Sequence, residues 1–291
     1  MRPVDLPGTL EELWRLLADR PRSSLYAGGT DLLPEIRSGK TDPPALICLE
    51  RIPELRGVTE TPAAVRLGAC TTHAHLLANP VIRKEFPVLV QALKTLGSPL
   101  IRQMGTIGGN ICTASPAGDT LPPLYVLKAE VELRTHDDRR TLPIAEFITG
   151  PRRTQLRPGE IVAAVFLNKS PCHNLHHFEK VGLRKSLACS VASLAAVLNL
   201  SEAGIVEAAQ LAWGSLGPTV VTSVAAEAEL IGRPLSIAAL ERAADAVRKA
   251  ISPIDDIRAD AAYRRAVAGN LLLRLAHACG QSQGRADHTT K

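Results

Sequence analysis

The sequence predicts an α+β chain in which two small lobes precede a sheet-plus-helices module. Three observations carry that prediction: an amphipathic opening helix leading into short apolar runs, two double-glycine motifs, and a C-terminal hairpin followed by two long helical patterns. With 291 residues, 45% hydrophobic and 22% charged, the chain has room for more than one domain at about 100–200 residues each.

Thr9 followed by Glu12 forms a capping box ahead of Leu10, Leu13, Trp14 and Leu17, which predicts an amphipathic first helix. Strand-like runs follow at Leu25–Ala27, Ala45–Leu49 and Val65–Leu67, with turns around Pro43-Pro44 and Pro62 and a helix-like Pro34–Arg37. Pro87–Leu96 places Leu89, Leu93 and Leu96 at helical spacing, and strands are expected at Ala129–Arg134 and Ile161–Leu167. Val191–Leu200 and Ile205–Gly214 flank the turn Ser201-Glu202-Ala203-Gly204, a hairpin signal. Ser236 opens a helix to Ala250, and Asp260 opens another to about Cys279 with Tyr263, Val267, Leu271 and Leu275 on one stripe. The expected organisation is a first lobe over 1–57, a second over 58–170, a polar linker near Ser170–Leu175, a C-terminal domain over 175–280 and a disordered tail over 281–291.

The two glycine motifs, Ala27-Gly28-Gly29-Thr30-Asp31 and Thr106-Ile107-Gly108-Gly109-Asn110, hold the most functional information. Glycine reaches positive φ and lacks Cβ, so successive N–H groups can form an anion-binding concavity in contact with phosphate oxygens. Thr30, Thr106 and Asn110 add side-chain donors, and the second motif runs on through Cys112, Thr113 and Ser115 to Asp119. Together these residues predict a clamp on a pyrophosphate. The first motif follows the strand Ser24–Ala27, and strand exits are where open α/β folds place nucleotides. Neither G-x-G-x-x-G nor G-x-x-x-x-G-K-[ST] occurs, so the ligand requires a different dinucleotide fold.

Other classes are excluded by composition. No apolar run approaches the roughly 20 residues of a membrane span, and Asp5, Glu11 and Glu12 interrupt the place of a signal-peptide core, which predicts a cytoplasmic protein. The net charge of +5 is scattered in pairs such as Arg139-Arg140 and Arg264-Arg265, and aromatics are 3%, which argues against a nucleic-acid partner. The six cysteines are dispersed without a cluster spacing, so no iron–sulfur cluster of its own is expected. Cys172, His173, His176 and His177 form a compact patch, but in a polar linker and at no standard zinc spacing; His73 and His75 sit at a helix start, and no protein-bound metal is expected. No nucleophile with a paired base is apparent, so no catalytic residue is assigned.

The stretches YAGGTDLLPEIRSG, GACTTHAHLLANP, IRQMGTIGGNICTASPAGDTLPPL, FEKVGLRKS and IDDIRADAAYRR resemble, in order and over roughly Leu6 to Cys279, the flavin (medium) subunits of the molybdenum hydroxylases. That group includes carbon monoxide dehydrogenase medium subunits and xanthine dehydrogenase FAD-binding subunits. The resemblance implies a two-lobe FAD-binding domain of the vanillyl-alcohol oxidase (PCMH) type followed by the family's small C-terminal domain. It implies that Leu25, Ala27, Gly28, Gly29, Thr30, Asp31 and Leu32 line one side of FAD, and Thr106, Gly108, Gly109, Asn110, Cys112, Thr113 and Asp119 the other. Arg152, Val162 and Lys180 fall where relatives touch the adenine or flavin, and a cation such as Lys180 beside the flavin edge would stabilise an anionic reduced flavin.

The resemblance further implies a molybdopterin-binding large subunit and a 2Fe–2S small subunit, assembled as a dimer of heterotrimers, with electrons reaching FAD from the clusters. The cysteine-rich insertion of the 4-hydroxybenzoyl-CoA reductases is absent. Leu187 and Ala188 stand where several members carry acidic residues near the nicotinamide site, which argues against NAD and leaves a quinone, oxygen or a carrier protein open beside it as acceptor. Two alternatives are a stand-alone FAD-dependent oxidoreductase of the same fold and a non-catalytic dinucleotide-binding module.

Overall fold

The structure, a computed structural model, describes residues 2–169, 173–184 and 187–276. In chain order the elements are β1 Val4–Asp5, α1 Leu10–Asp19, β2 Ser24–Tyr26, α2 Leu32–Arg37, β3 Leu46–Cys48, β4 Val58–Glu60, β5 Ala64–Gly68, α3 His73–Ala78, α4 Pro80–Glu85, α5 Pro87–Thr95, α6 Pro99–Met104, α7 Ile107–Thr113 and α8 Leu121–Val126. There follow β6 Glu130–Arg134, β7 Arg139–Pro143, α9 Ile144–Phe147, β8 Ile148–Gly150, β9 Arg153–Thr154, β10 Ile161–Asn168, β11 Leu175–Gly182, β12 Ser190–Leu200, β13 Val206–Gly214, β14 Val221–Thr222, α10 Val224–Leu230, α11 Ile237–Ala250 and α12 Ala261–Leu273. The chain divides into two compact units, Met1–Glu85 with Leu96–Ser115 and Lys128–Lys169, and Phe86–Thr95 with Pro116–Leu127 and Ser170–Lys291.

In the first unit, Thr9 caps α1 by accepting from Glu12 N–H, while the Glu12 carboxylate accepts from Gly8 N–H, one residue before the position a capping box implies. The buried face of α1, Leu10 and Leu13, packs with Ile47, Leu49, Ile52 and Leu55 against a three-stranded parallel sheet ordered β1-β3-β2. Parallel pairing needs crossovers, and α1 and α2 lie in the connections that supply them. A five-stranded antiparallel sheet ordered β4-β5-β10-β6-β7 follows, with β10 at its centre and buried along nearly its whole length. The Arg140 guanidinium holds the Glu160 carboxylate bidentately at 2.7 and 2.8 Å, tying β7 to the turn that enters β10.

In the second unit, the long β12 is buried on both faces of a sheet ordered β11-β12-β13-β14. Ala192, Leu194, Ala196 and Leu198 join a core with Leu240, Ala244, Val247, Leu271 and Leu272 from α11 and α12. On the other face, a Cβ at Gly214 would meet Ser193 and Pro122 of α8. The edge strand β11 is blocked by Gln91 of α5, whose amide donates to His176 O at 3.1 Å and accepts from Phe178 N–H at 2.6 Å, as a neighbouring strand would.

Two expectations change here. The stripe of α12 centres on Arg264, Val267, Ala268, Leu271 and Leu272, while Tyr263 is exposed. Arg264 takes the inward place because its guanidinium meets Val191 O at 2.6 Å, Ser215 O at 3.2 Å and Asp256 Oδ1 at 2.6 Å. The second glycine pair is no loop: Gly108 and Gly109 lie in the first turn of α7, at φ values any residue adopts. Cys172, Lys185, Ser186, Cys279 and the tail 281–291 lie outside the described residues.

Candidate flavin site

The four glycines of the two motifs have different surroundings. Gly29 alone has positive φ, 69°. At Gly28 a Cβ would lie 1.6 Å from Met104 O, so this glycine lets the first turn abut the backbone that enters α7. At Gly108 a Cβ would lie 2.6 Å from the Ala69 Cβ, so this one seats α7 on the turn after β5. At Gly109 a Cβ would meet only Thr106 Oγ1, at 3.0 Å, and the space beyond is open. Of these, Gly109 leaves open space, whereas Gly28 and Gly108 bring protein backbone together.

Donor availability also differs between the motifs. At the start of α7, Ile107 N–H donates to Thr71 O, Gly108 N–H to Ala69 O, Gly109 N–H to Thr106 Oγ1 and Asn110 N–H to Thr106 O. Thr106, expected as a side-chain donor, thus serves first as the acceptor that caps the helix. By contrast, the successive N–H groups of Gly28, Gly29, Thr30, Asp31 and Leu32 have no acceptor among the described residues. They lie on a partly exposed turn containing one positive-φ glycine, the arrangement that receives an anion.

A cavity of about 260 Å³ opens beside this turn, lined among others by Gly28, Arg51, Arg56, Thr72, Gln103 and Thr106. Arg51 and Arg56 were not singled out from the sequence. They follow β3, and the exits of parallel strands are the signal that could have found them. Cys112, in the last turn of α7, is exposed. His73 is buried under the turn before α7, its Nδ1 has no hydrogen-bond partner among the described residues, and burial lowers its pKa to about 4. Asp31 Oδ2 accepts from Thr113 Oγ1 at 2.9 Å, and Arg152 reaches Asp31 and Glu35.

The remaining site residues are set differently. Leu25 lies in β2 against the core of the first unit, with Ala27 beside it. Leu32 starts α2. Val162 is buried in β10 next to a register shift, so only its backbone is available there. Asp119 and Lys180 belong to the second unit, where they pair at 2.6 Å with side chains 9% and 10% exposed. Lys180 also donates to Thr95 O at 3.0 Å and Ala188 O at 3.2 Å. It is therefore no isolated cation: all three ammonium hydrogens have acceptors. Burial pushes the Asp119 carboxyl up against the pull of Lys180, and Asp119 Oδ1 has no hydrogen-bond partner among the described residues. Among the described residues no group of three or more His, Cys, Asp or Glu could hold a metal ion.

Within the first unit, the N–H run from Gly28 to Leu32, the open Gly109 surface and the cavity arginines form a donor set that fits a diphosphate. The family described as the FAD binding domain in molybdopterin dehydrogenase matches residues 4–169, and the CO dehydrogenase flavoprotein C-terminal domain matches residues 177–279. The chain therefore belongs to the FAD-binding subunits of the molybdenum hydroxylases, oxidoreductase subunits of multi-subunit complexes. It is 31% identical over 88% of its length to the carbon monoxide dehydrogenase medium chain of Hydrogenophaga pseudoflava, 88% of which is covered. It is 30% identical to the xanthine dehydrogenase FAD-binding subunit of Escherichia coli O157:H7, with 88% of each chain covered. A solved carbon monoxide dehydrogenase from Hydrogenophaga pseudoflava superposes with a TM-score of 0.89 at 31% identity, covering 95% of this chain and 96% of that one.

Proposed function

We propose that this chain holds FAD as the electron outlet of a molybdenum hydroxylase, receiving electrons from 2Fe–2S clusters on a small subunit and delivering them to a terminal acceptor. The observation that carries this reading is the run of five N–H groups, Gly28 to Leu32, that have no acceptor among the described residues, in a chain of this family. FAD supplies the redox chemistry; this chain supplies binding and electrostatics. Gly28–Leu32 would hold the diphosphate from one side and the open surface at Gly109, with Asn110 and Thr113, from the other. Asp119, held by Lys180, would accept from a hydroxyl or ring N–H of the cofactor through its free oxygen. Leu25, Ala27, Thr106, Gly108, Cys112 and Val162 complete the proposed lining, with Arg152 behind it on Asp31 and Glu35. The segments 1–57 and 58–170 are proposed as the two lobes of the flavin domain, followed by a C-terminal domain over 175–280.

The partners of this reading are a molybdopterin-binding large subunit and the 2Fe–2S small subunit, in a cytoplasmic dimer of heterotrimers. Relatives carry names referring to carbon monoxide and to xanthine, consistent with substrate choice on another subunit. The acceptor is NAD, a quinone or oxygen. No helix among the described residues is long and apolar enough to cross a membrane. The test is the absorption spectrum of the purified chain, with mass identification of whatever denaturation releases. Flavin bands and released FAD are expected; no flavin after incubation with excess FAD, alone or with the partner subunits, overturns the reading.

A further inference from the structure

Two residues other than glycine near the glycine motifs adopt left-handed backbone: Ala114, which closes α7 with φ 46°, and Arg152, between β8 and β9, with φ 56°. Side chains with a Cβ disfavour that region, so the surrounding contacts must impose it. Here the two residues are tied to each other, Arg152 N–H donating to Ala114 O at 3.1 Å. The guanidinium of Arg152 then extends to Glu35 at 2.7 Å and Asp31 at 3.7 Å. Lys40 holds Glu35 from the other side at 2.6 Å, and the single hydroxyl hydrogen of Thr113 is shared between Asp31 Oδ2 at 2.9 Å and Gly109 O at 3.0 Å.

The result is a chain of alternating partners, Lys40, Glu35, Arg152, Asp31 and Thr113. It runs from α2, behind the first glycine turn, to the last residue of α7, which carries the second motif. Asp31 and Thr113 are 82 residues apart in sequence, so this contact adds a side-chain link between two motifs whose backbones already meet at Gly28 and Met104. It also answers an electrostatic difficulty. A carboxylate at the end of a free N–H run would repel an incoming diphosphate, and Thr113 and Arg152 are the groups that engage it.

We propose that Arg152, acting through Asp31 and Thr113, is a positioning residue that sets the distance between the two glycine motifs for dinucleotide binding, rather than a group that touches the dinucleotide. This rests on the FAD reading above. Binding then depends on preorganisation of the two motifs, and loosening them lowers affinity without removing any contact to the ligand.

The experiment is a double-mutant cycle on the full chain, titrated with FAD and followed by flavin fluorescence. Arg152→Met and Asp31→Asn are each expected to raise the Kd about tenfold, and the double variant no further than the worse single one. Arg152→Lys is expected to recover part of the loss. Arg153→Met, which alters the neighbouring arginine outside the network, is expected to leave the Kd within about twofold. Losses that multiply in the double variant would mean that Arg152 acts independently of Asp31, and would overturn the proposal. So would an unchanged Kd in Arg152→Met, or a fall in the Tm of the FAD-free variant large enough to explain its weaker binding by unfolding. Failure of the wild-type chain to bind FAD defeats the functional reading itself; wild-type binding with multiplying losses defeats only the positioning role.

Discussion

His73 shows how a single buried side chain can set the acid limit of this chain. It caps no ligand and pairs with no carboxylate; its N–H donates to Gly105 O, while its ring sits 3% exposed with Nδ1 unpartnered. Burial, with Arg102 adding a smaller push, depresses its pKa from 6.5 to about 4. For a histidine whose folded pKa is depressed, stability is present above the unfolded pKa and is lost as pH falls toward the folded one, because only the unfolded chain takes the proton. At about 1.4 kcal/mol per unit, roughly 2 kcal/mol should disappear between pH 6.5 and pH 5. Urea unfolding at the two pH values checks this: His73→Leu should show a much smaller difference than wild type.

At the scale of elements, the loop between α11 and α12 is held by charge. Asp256 joins Arg258 at 2.6 Å and the buried Arg264 at 2.6 Å, and Arg258 reaches Ser190 O at 3.2 Å. These contacts fasten the start of α12 to the start of β12. Arg258, with Arg264 beside it, holds the Asp256 carboxyl well below the usual carboxylate range. The sign is opposite in origin but alike in outcome to that of His73: a depressed carboxylate stabilises above its unfolded pKa and loses that contribution as pH falls through the acid range. Removing one partner leaves a buried guanidinium uncompensated, which typically costs 3–5 kcal/mol. Asp256→Ala should accordingly destabilise the chain by about 3 kcal/mol in chemical denaturation at pH 7, and the deficit should shrink toward pH 3.

For the whole molecule, binding and stability are linked. A ligand that binds only the folded chain stabilises by about 2.7 kcal/mol when present at 100 times its Kd. FAD should raise the Tm of the wild-type chain with a dependence on its concentration. Gly109→Val places a branched side chain on the open surface of α7 and within reach of the Thr106 cap, so it should lose the FAD-dependent rise while keeping a cooperative transition. Gly28→Ala should lower the Tm even without FAD, because its Cβ has no space against Met104 O. A concentration-dependent rise in Gly109→Val equal to that of wild type would remove α7 from the site.

Sequence by itself determined the α+β class, the family and the elements marked by a cap, a hairpin turn or a clear apolar period. Thr9, Ser236 and Asp260 cap the helices they were expected to cap, because capping is a local exchange between a side chain and N–H groups three residues on. The hairpin around Ser201–Gly204 forms for the same local reason. Tertiary structure decided which glycines serve packing and which leave open surface, since Gly28 and Gly108 meet Met104 and Ala69, residues remote from them in the fold's local order. It also turned the second glycine motif into a helix start, because Thr71 O, Ala69 O and the Thr106 side chain satisfy its N–H groups. It gave Lys180 a buried partner and placed Arg152 against Asp31 and Glu35. Ion pairs between distant segments depend on where folding brings charges together, and no spacing along the chain encodes that distance.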